Sequence, residues 1–228
     1  MRNRFDSQLE ALNRGIIEMG ALVEDSLKAS IDALLAFDRE TAKKIVVGDK
    51  EIDQKMKEIE TLCLRLLLSQ QPVARDLRLI SASLKMVGDL ERIGDQAADI
   101  AEIVAGCTDQ DGAPLKLAAI PPMGIDVLKM LAQSIDAFVR KDLKLAQIVI
   151  DSDDNVDFLF RSAKRELVKT IRNTESDAEC IINSIMIAKY LERIGDHALN
   201  VARWAIFAET GTHHGANLLN GADDFDEK

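Results

Sequence analysis

The chain is poor in the residues from which strands and tight turns are built. Of 228 residues, 4% are aromatic, 12 are glycine and 4 are proline, an inventory that favours long helices over sheets. It also lacks a basic cluster. With 39 acidic against 29 basic side chains and a net charge of −10, it is a poor match for nucleic acid, whose binding depends on neutralising phosphates. No apolar run approaches the roughly 18 residues a membrane-spanning helix requires. The N-terminal segment MRNRFDSQLEAL carries charge where a signal peptide has its apolar stretch. The cysteines, Cys63, Cys107 and Cys180, are few, odd in number and far apart along the chain, which argues against a disulfide framework and fits a reducing cytoplasm. No phosphate-binding glycine loop, dinucleotide fingerprint or nucleophile elbow occurs.

What is present is helical periodicity. Phe5, Leu9, Leu12, Ile16, Met19, Val23, Leu27, Ile31 and Leu34 alternate steps of three and four, as one stripe on a helix does. A second stripe runs Ile45, Ile52, Met56, Ile59, Cys63 and Leu66, and a third runs Leu77, Ile80, Leu84, Val87, Ala98 and Ala101. Three long helices with short connections predict an antiparallel bundle. The pattern stops at Pro72 and again around Pro114, Pro121 and Pro122, because proline removes a helix hydrogen bond and clashes with the preceding turn. It then restarts with Val127, Leu131, Ile135 and Phe138. Leu90-Glu91-Arg92-Ile93-Gly94-Asp95 recurs as Leu191-Glu192-Arg193-Ile194-Gly195-Asp196, and Ser30-Ile31-Asp32-Ala33 as Ser134-Ile135-Asp136-Ala137. The expectation is therefore an all-α protein of two tandem, internally duplicated three-helix bundles over 1–105 and 124–208, joined by a linker over 106–123. The acidic, aperiodic tail over 209–228 is expected to be disordered.

Acids interrupt the apolar stripes at matching places. Extending the stripes through their gaps lands on Asp49, Glu91, Asp153 and Glu192, and each has a second acid one turn later on the same face: Asp53, Asp95, Asp157 and Asp196. Carboxylates aimed at a core repel one another and require a positive charge. Arg92 and Arg193 lie about 100° round the helix from the seam, which suits an outer position. A metal cluster is the better neutraliser. The donors are all oxygen, which favours iron, manganese, magnesium or calcium over zinc. Gly94 and Gly195 fit this too, since a mid-helix glycine costs about 1 kcal/mol and is explained by close approach of a helix or ion. Asp99 and its counterpart Asn200 extend the same face as weaker ligands. Asp89 has Tyr190 as its counterpart in the other copy and is left out of the shared site. His197 is read as a surface residue, His213-His214 as an isolated pair in the tail and Trp204 as packing.

Two other readings stay open on this pattern. A carboxylate-bridged di-iron enzyme normally uses Glu-x-x-His pairs, and none occurs. A metal-free helical adaptor would pair its seam acids with arginines.

The repeated LERIGD, the stretch QPVARDLRLISASLKMVGDLERIGD (71–95), and the segments VVGDKEID (46–53), VIDSDDNVD (149–157) and LERIGDHALNVA (191–202) resemble the PhoU family, regulators that accompany the phosphate-specific ABC transporter. The resemblance implies two similar three-helix bundles whose E/D-x-x-x-D motifs hold metal ions, often in multinuclear clusters, and no catalytic activity. Carried over, the metal ligands are Asp49, Asp53, Glu91 and Asp95 in the first half and Asp153, Asp157, Glu192 and Asp196 in the second. It also implies a cytoplasmic homodimer that represses the phosphate-starvation response while phosphate is plentiful. The implied partners are the transporter's ATPase subunit and the sensor histidine kinase of the phosphate two-component system. The second half departs from the first where TESDAEC (174–180) lacks the arginines of PVARDLR.

Overall fold

Leu12, Ile16, Met19, Val23 and Leu27, the middle of the first stripe, are all fully buried, and they run along α1 (Arg2–Ala36). The chain then turns on Phe37, held at φ 55°, and Asp38 caps the next helix by accepting from the amides of Glu40 and Thr41, each at 3.1 Å. α2 (Arg39–Gln70) and α3 (Ala74–Gly106) complete the first bundle. The second repeats the device: α4 (Ile120–Arg140) ends on Lys141 at φ 56°, and Asp142 caps α5 (Leu143–Asn173) through the amides of Lys144 and Leu145, each at 3.0 Å. α6 (Ala178–Thr210) begins on the cap Asp177. This computed structural model describes residues 2–70, 72, 74–107, 112–173, 177–213 and 216–217.

Two observations qualify the sequence reading. Pro121 and Pro122 stand in the first turn of α4 rather than outside a helix, because a missing amide hydrogen costs nothing there; the span 106–123 thus takes in a helix start. Beyond Gly211 the chain makes a two-residue antiparallel ladder between β1 (Thr212–His213) and β2 (Ala216–Asn217). The rest of the tail, 218–228, lies outside the described residues.

The halves share one core. α3 buries Met86, Leu90, Ile93, Ala97 and Ile100 in addition to Ile80 and Val87, while Leu77 is exposed. Its apolar face is wider than one stripe because α6 runs antiparallel along it, with Arg75 paired to Glu209 at 3.3 Å and Asp89 to His197 at 2.9 Å. α1 crosses α4 in the same sense, and here the repeated SIDA segments find their purpose. Ile135 sits on Gly20, where an added Cβ would come within 2.8 Å of its Cδ1, and Ile31 sits on Gly124, at 3.0 Å from its Cγ2. The buried Ser30 hydroxyl donates to the carbonyl of Ala97 at 2.8 Å. Gly20→Leu should therefore push the halves apart, at a cost of about 1–3 kcal/mol, read as a lower urea midpoint.

Candidate metal centre

α2 and α3 bring the first-half acids together. One carboxylate oxygen from each of Asp49, Asp53 and Asp95 lies within 4.8 Å of the other two, and among the described residues no other three such groups converge as closely. The approach depends on Gly94: a Cβ there would meet Ile52 Cδ1 at 3.0 Å and Asp49 Oδ1 at 3.5 Å. Asp49 Oδ1 is buried and has no hydrogen-bond partner. Burial, and then the charges of Asp95 and Asp53, hold the Asp49 carboxyl above the usual range. Burial and Asp95 do the same to Glu91, and burial raises Asp95 and Asp99. The exposed Arg92 reaches Glu91 at 3.6 Å and Asp95 at 3.4 Å, from the outside, as its position on the helix predicts.

The second half has the same frame with different partners. Gly195 leaves Asp153 Oδ1 3.6 Å from where its Cβ would be. Burial, reinforced by Asp196 and Asp157, pushes Asp153 up to about 6. Burial and Glu192 raise Asp196. Here too side-chain cations stand beside the acids: Arg161 pairs with Asp157 at 3.3 Å, and Lys189 with Glu192.

These shifts make the metal-free protein sensitive to pH. An acid with a raised folded pKa keeps its proton in the folded state where the unfolded chain has lost it, so its destabilising effect is fully present above the folded value and fades as pH falls through it. Metal-free protein should therefore melt higher near pH 5 than at pH 8. Thermal melts in chelator would show the rise, and Asp153→Asn should reduce it, since this group titrates near 6.

The weaker candidates resolve into cross-pairs between α3 and α6. Asn200, expected beside the second-half acids, donates instead to Asp89 at 3.4 Å. Asp99 is hydrogen-bonded to Tyr190. The positions that differ between the copies are thus matched with each other: Asp89 with Asn200, Tyr190 with Asp99. His197 is not a free surface residue, since its Nδ1 bonds Asp89 at 2.9 Å. Nor is His213 isolated: its ring stacks on Trp204 at 3.9 Å, and Trp204 meets Phe207 edge-on at 5.7 Å. A sequence signal for the cross-pairs existed, namely the two exchanges that flank the repeated LERIGD, Asp89 for Tyr190 and Asp99 for Asn200. Cys63 is core, its thiol pushed up to about 12 by burial.

The PhoU domain model matches residues 16–104 and 120–205, the two bundles in turn. The chain belongs to the PhoU family. It is 36% identical over 211 residues to the phosphate-specific transport system accessory protein PhoU homolog of Clostridium acetobutylicum, covering 92% of this chain and 96% of that one. The PhoU homolog of Pseudomonas aeruginosa is 35% identical over 209 residues, 92% of this chain and 86% of its own. The fold is that of PhoU crystal structures from Pseudomonas aeruginosa, with a TM-score of 0.87 and 36% identity over 91% of this chain and 100% of that one, and from Streptococcus pneumoniae, with a TM-score of 0.85 and 28% identity over 92% and 98%. Among the described residues no helix of this family member is long and apolar enough to cross a membrane.

Proposed function

We propose that the protein is a non-catalytic, metal-binding accessory regulator of phosphate transport, acting at the cytoplasmic face of the membrane. The observation that carries the metal reading is the unpartnered, buried Asp49 Oδ1 among the carboxylates of Asp53 and Asp95. A buried anion without a donor is costly, and the missing side chain at Gly94 lets Ile52 and the Asp49 carboxylate pack close against α3. A hard cation fits this donor set. Asp49, Asp53, Asp95 and Glu91 would hold it in the first half, and Asp153, Asp157, Glu192 and Asp196 in the second. When bound it would neutralise the acids and lock α2 to α3 and α5 to α6. Iron, manganese and magnesium suit oxygen ligands better than zinc.

The regulatory reading follows from membership in the PhoU family and from relatives named as accessory proteins of the phosphate-specific transport system. As a homodimer, the protein would couple the ATPase subunit of the phosphate ABC transporter to the sensor histidine kinase. A net charge of −10 favours basic patches on both partners and makes encounter salt-dependent. Deleting the gene should switch on phosphate-starvation genes in phosphate-replete cells, measured by reporter expression, and normal repression in the deletion strain would reject the assignment. Elemental analysis of untagged protein tests the metal separately.

A further inference from the structure

The two acid sites differ in what already neutralises them. Two positions before Leu90 stands Gly88, where an added Cβ would meet nothing within 4 Å. Two positions before Leu191 stands Lys189. Its ammonium lies on Glu192 Oε2 and 5.4 Å from the centre of the Phe160 ring, a face that attracts cations. The Glu192 side chain is 14% exposed against 44% for Lys189, so the lysine reaches inward to an acid that is mostly covered. Metal and ammonium would compete for the same carboxylate lone pairs, and a charge-assisted hydrogen bond must be given up before a metal can bind there. In the first half the cation beside the acids is Arg92, which reaches Glu91 at 3.6 Å and Asp95 at 3.4 Å from a side chain 61% exposed; among the described residues no lysine is paired with Glu91.

We propose that Lys189 is a built-in counter-cation of the second site, which competes with metal for Glu192, so that the chain fills its first site at low metal concentration and its second only at higher concentration. The proposal rests on the metal reading of the acid sites given above. It makes the half-loaded chain a distinct, populated species over a range of metal concentration. The displaced ammonium would stay near the Phe160 ring, which the Lys164 ammonium also approaches, at 5.5 Å.

The test is titration of manganese(II) into the full-length, metal-stripped protein, with the free ion followed by electron paramagnetic resonance. The wild type should show two classes of site, and Asp153→Asn should remove the weaker one alone. Lys189→Ala should tighten the weaker class by about tenfold and leave the tighter class unchanged, whereas Lys189→Arg, which keeps the charge, should change neither. If Lys189→Ala melts below the wild type, Lys189→Gln keeps most of the stem and should give the same tightening. A single class in the wild type, or a weaker class that both neutral variants leave unchanged or loosen, overturns the role of Lys189. Absence of binding at either site would reject the metal reading itself.

Discussion

Stripping metal from the protein at neutral pH should lower its melting temperature by about 5–10 °C. Removing the cation leaves Asp49, Asp53 and Asp95 within 4.8 Å of one another, with burial and then the neighbouring carboxylates disfavouring the charge on Asp49 and Asp95. A ligand present at a hundred times its dissociation constant stabilises the folded state by about 2.7 kcal/mol. For a chain of this size each kcal/mol moves the midpoint by roughly 2–4 °C. Paired melts with and without chelator at pH 7.5 measure the difference. Identical melts, with no metal released by the chelator, would mean that the acid knot is held by protons and arginines alone.

A second large effect is expected at the centre of that knot, and it should change sign with metal. Asp49→Asn removes one charge from a site crowded with like charges and replaces an unpartnered buried oxygen with a neutral amide of nearly the same shape. Without metal the variant should melt above the wild type, because the repulsion from Asp95 and Asp53 that opposes Asp49 ionisation is gone. With metal it should melt below, because affinity at the first site falls by about 100-fold or more; loss of an outer-shell partner alone costs 10- to 100-fold, and Asp49 is read as a direct ligand. Melting curves at saturating and zero manganese(II) separate the two signs. A variant that melts lower in both conditions would make Asp49 a structural acid only.

Much of this site was legible because a carboxylate in an apolar stripe violates the local pattern, and the violation was repeated. The i, i+4 pairs gave the face, and the LERIGD repeat placed Glu91 and Glu192 in equivalent positions. Helix existence followed from periodicity alone, since steps of three and four over eight turns admit no other regular structure. Several of the readings that needed revision involve contacts between the halves. Periodicity reports which face of a helix is apolar but not how many neighbours cover it, so the second buried side of α3, carried by Leu90, Ile93 and Ile100, was not part of the predicted stripe. The same holds for Asn200 and His197, assigned by position to their own half or to solvent, whose hydrogen bonds go to Asp89 across the interface. Gly20 and Gly124 occupy equivalent places in the two copies, and only the crossing of α1 over α4 shows that each is the seat of the other half's isoleucine. The role of Lys189 was hidden for another reason. Its counterpart is Gly88, and a comparison of repeats highlights what the copies share.

The exchanged pairs on α3 and α6 bear on how such a chain could have arisen and what it can no longer do. Asp89 faces Asn200, and Asp99 faces Tyr190. An assembly of two first halves, brought together by the same antiparallel contact, would set Asp89 against Asp99 twice, acid against acid. Two second halves would set Tyr190 against Asn200 and lose the carboxylate acceptor that both now use. Each copy thus supplies what the other lacks: the acceptors Asp89 and Asp99 from the first half, the donors Asn200 and Tyr190 from the second.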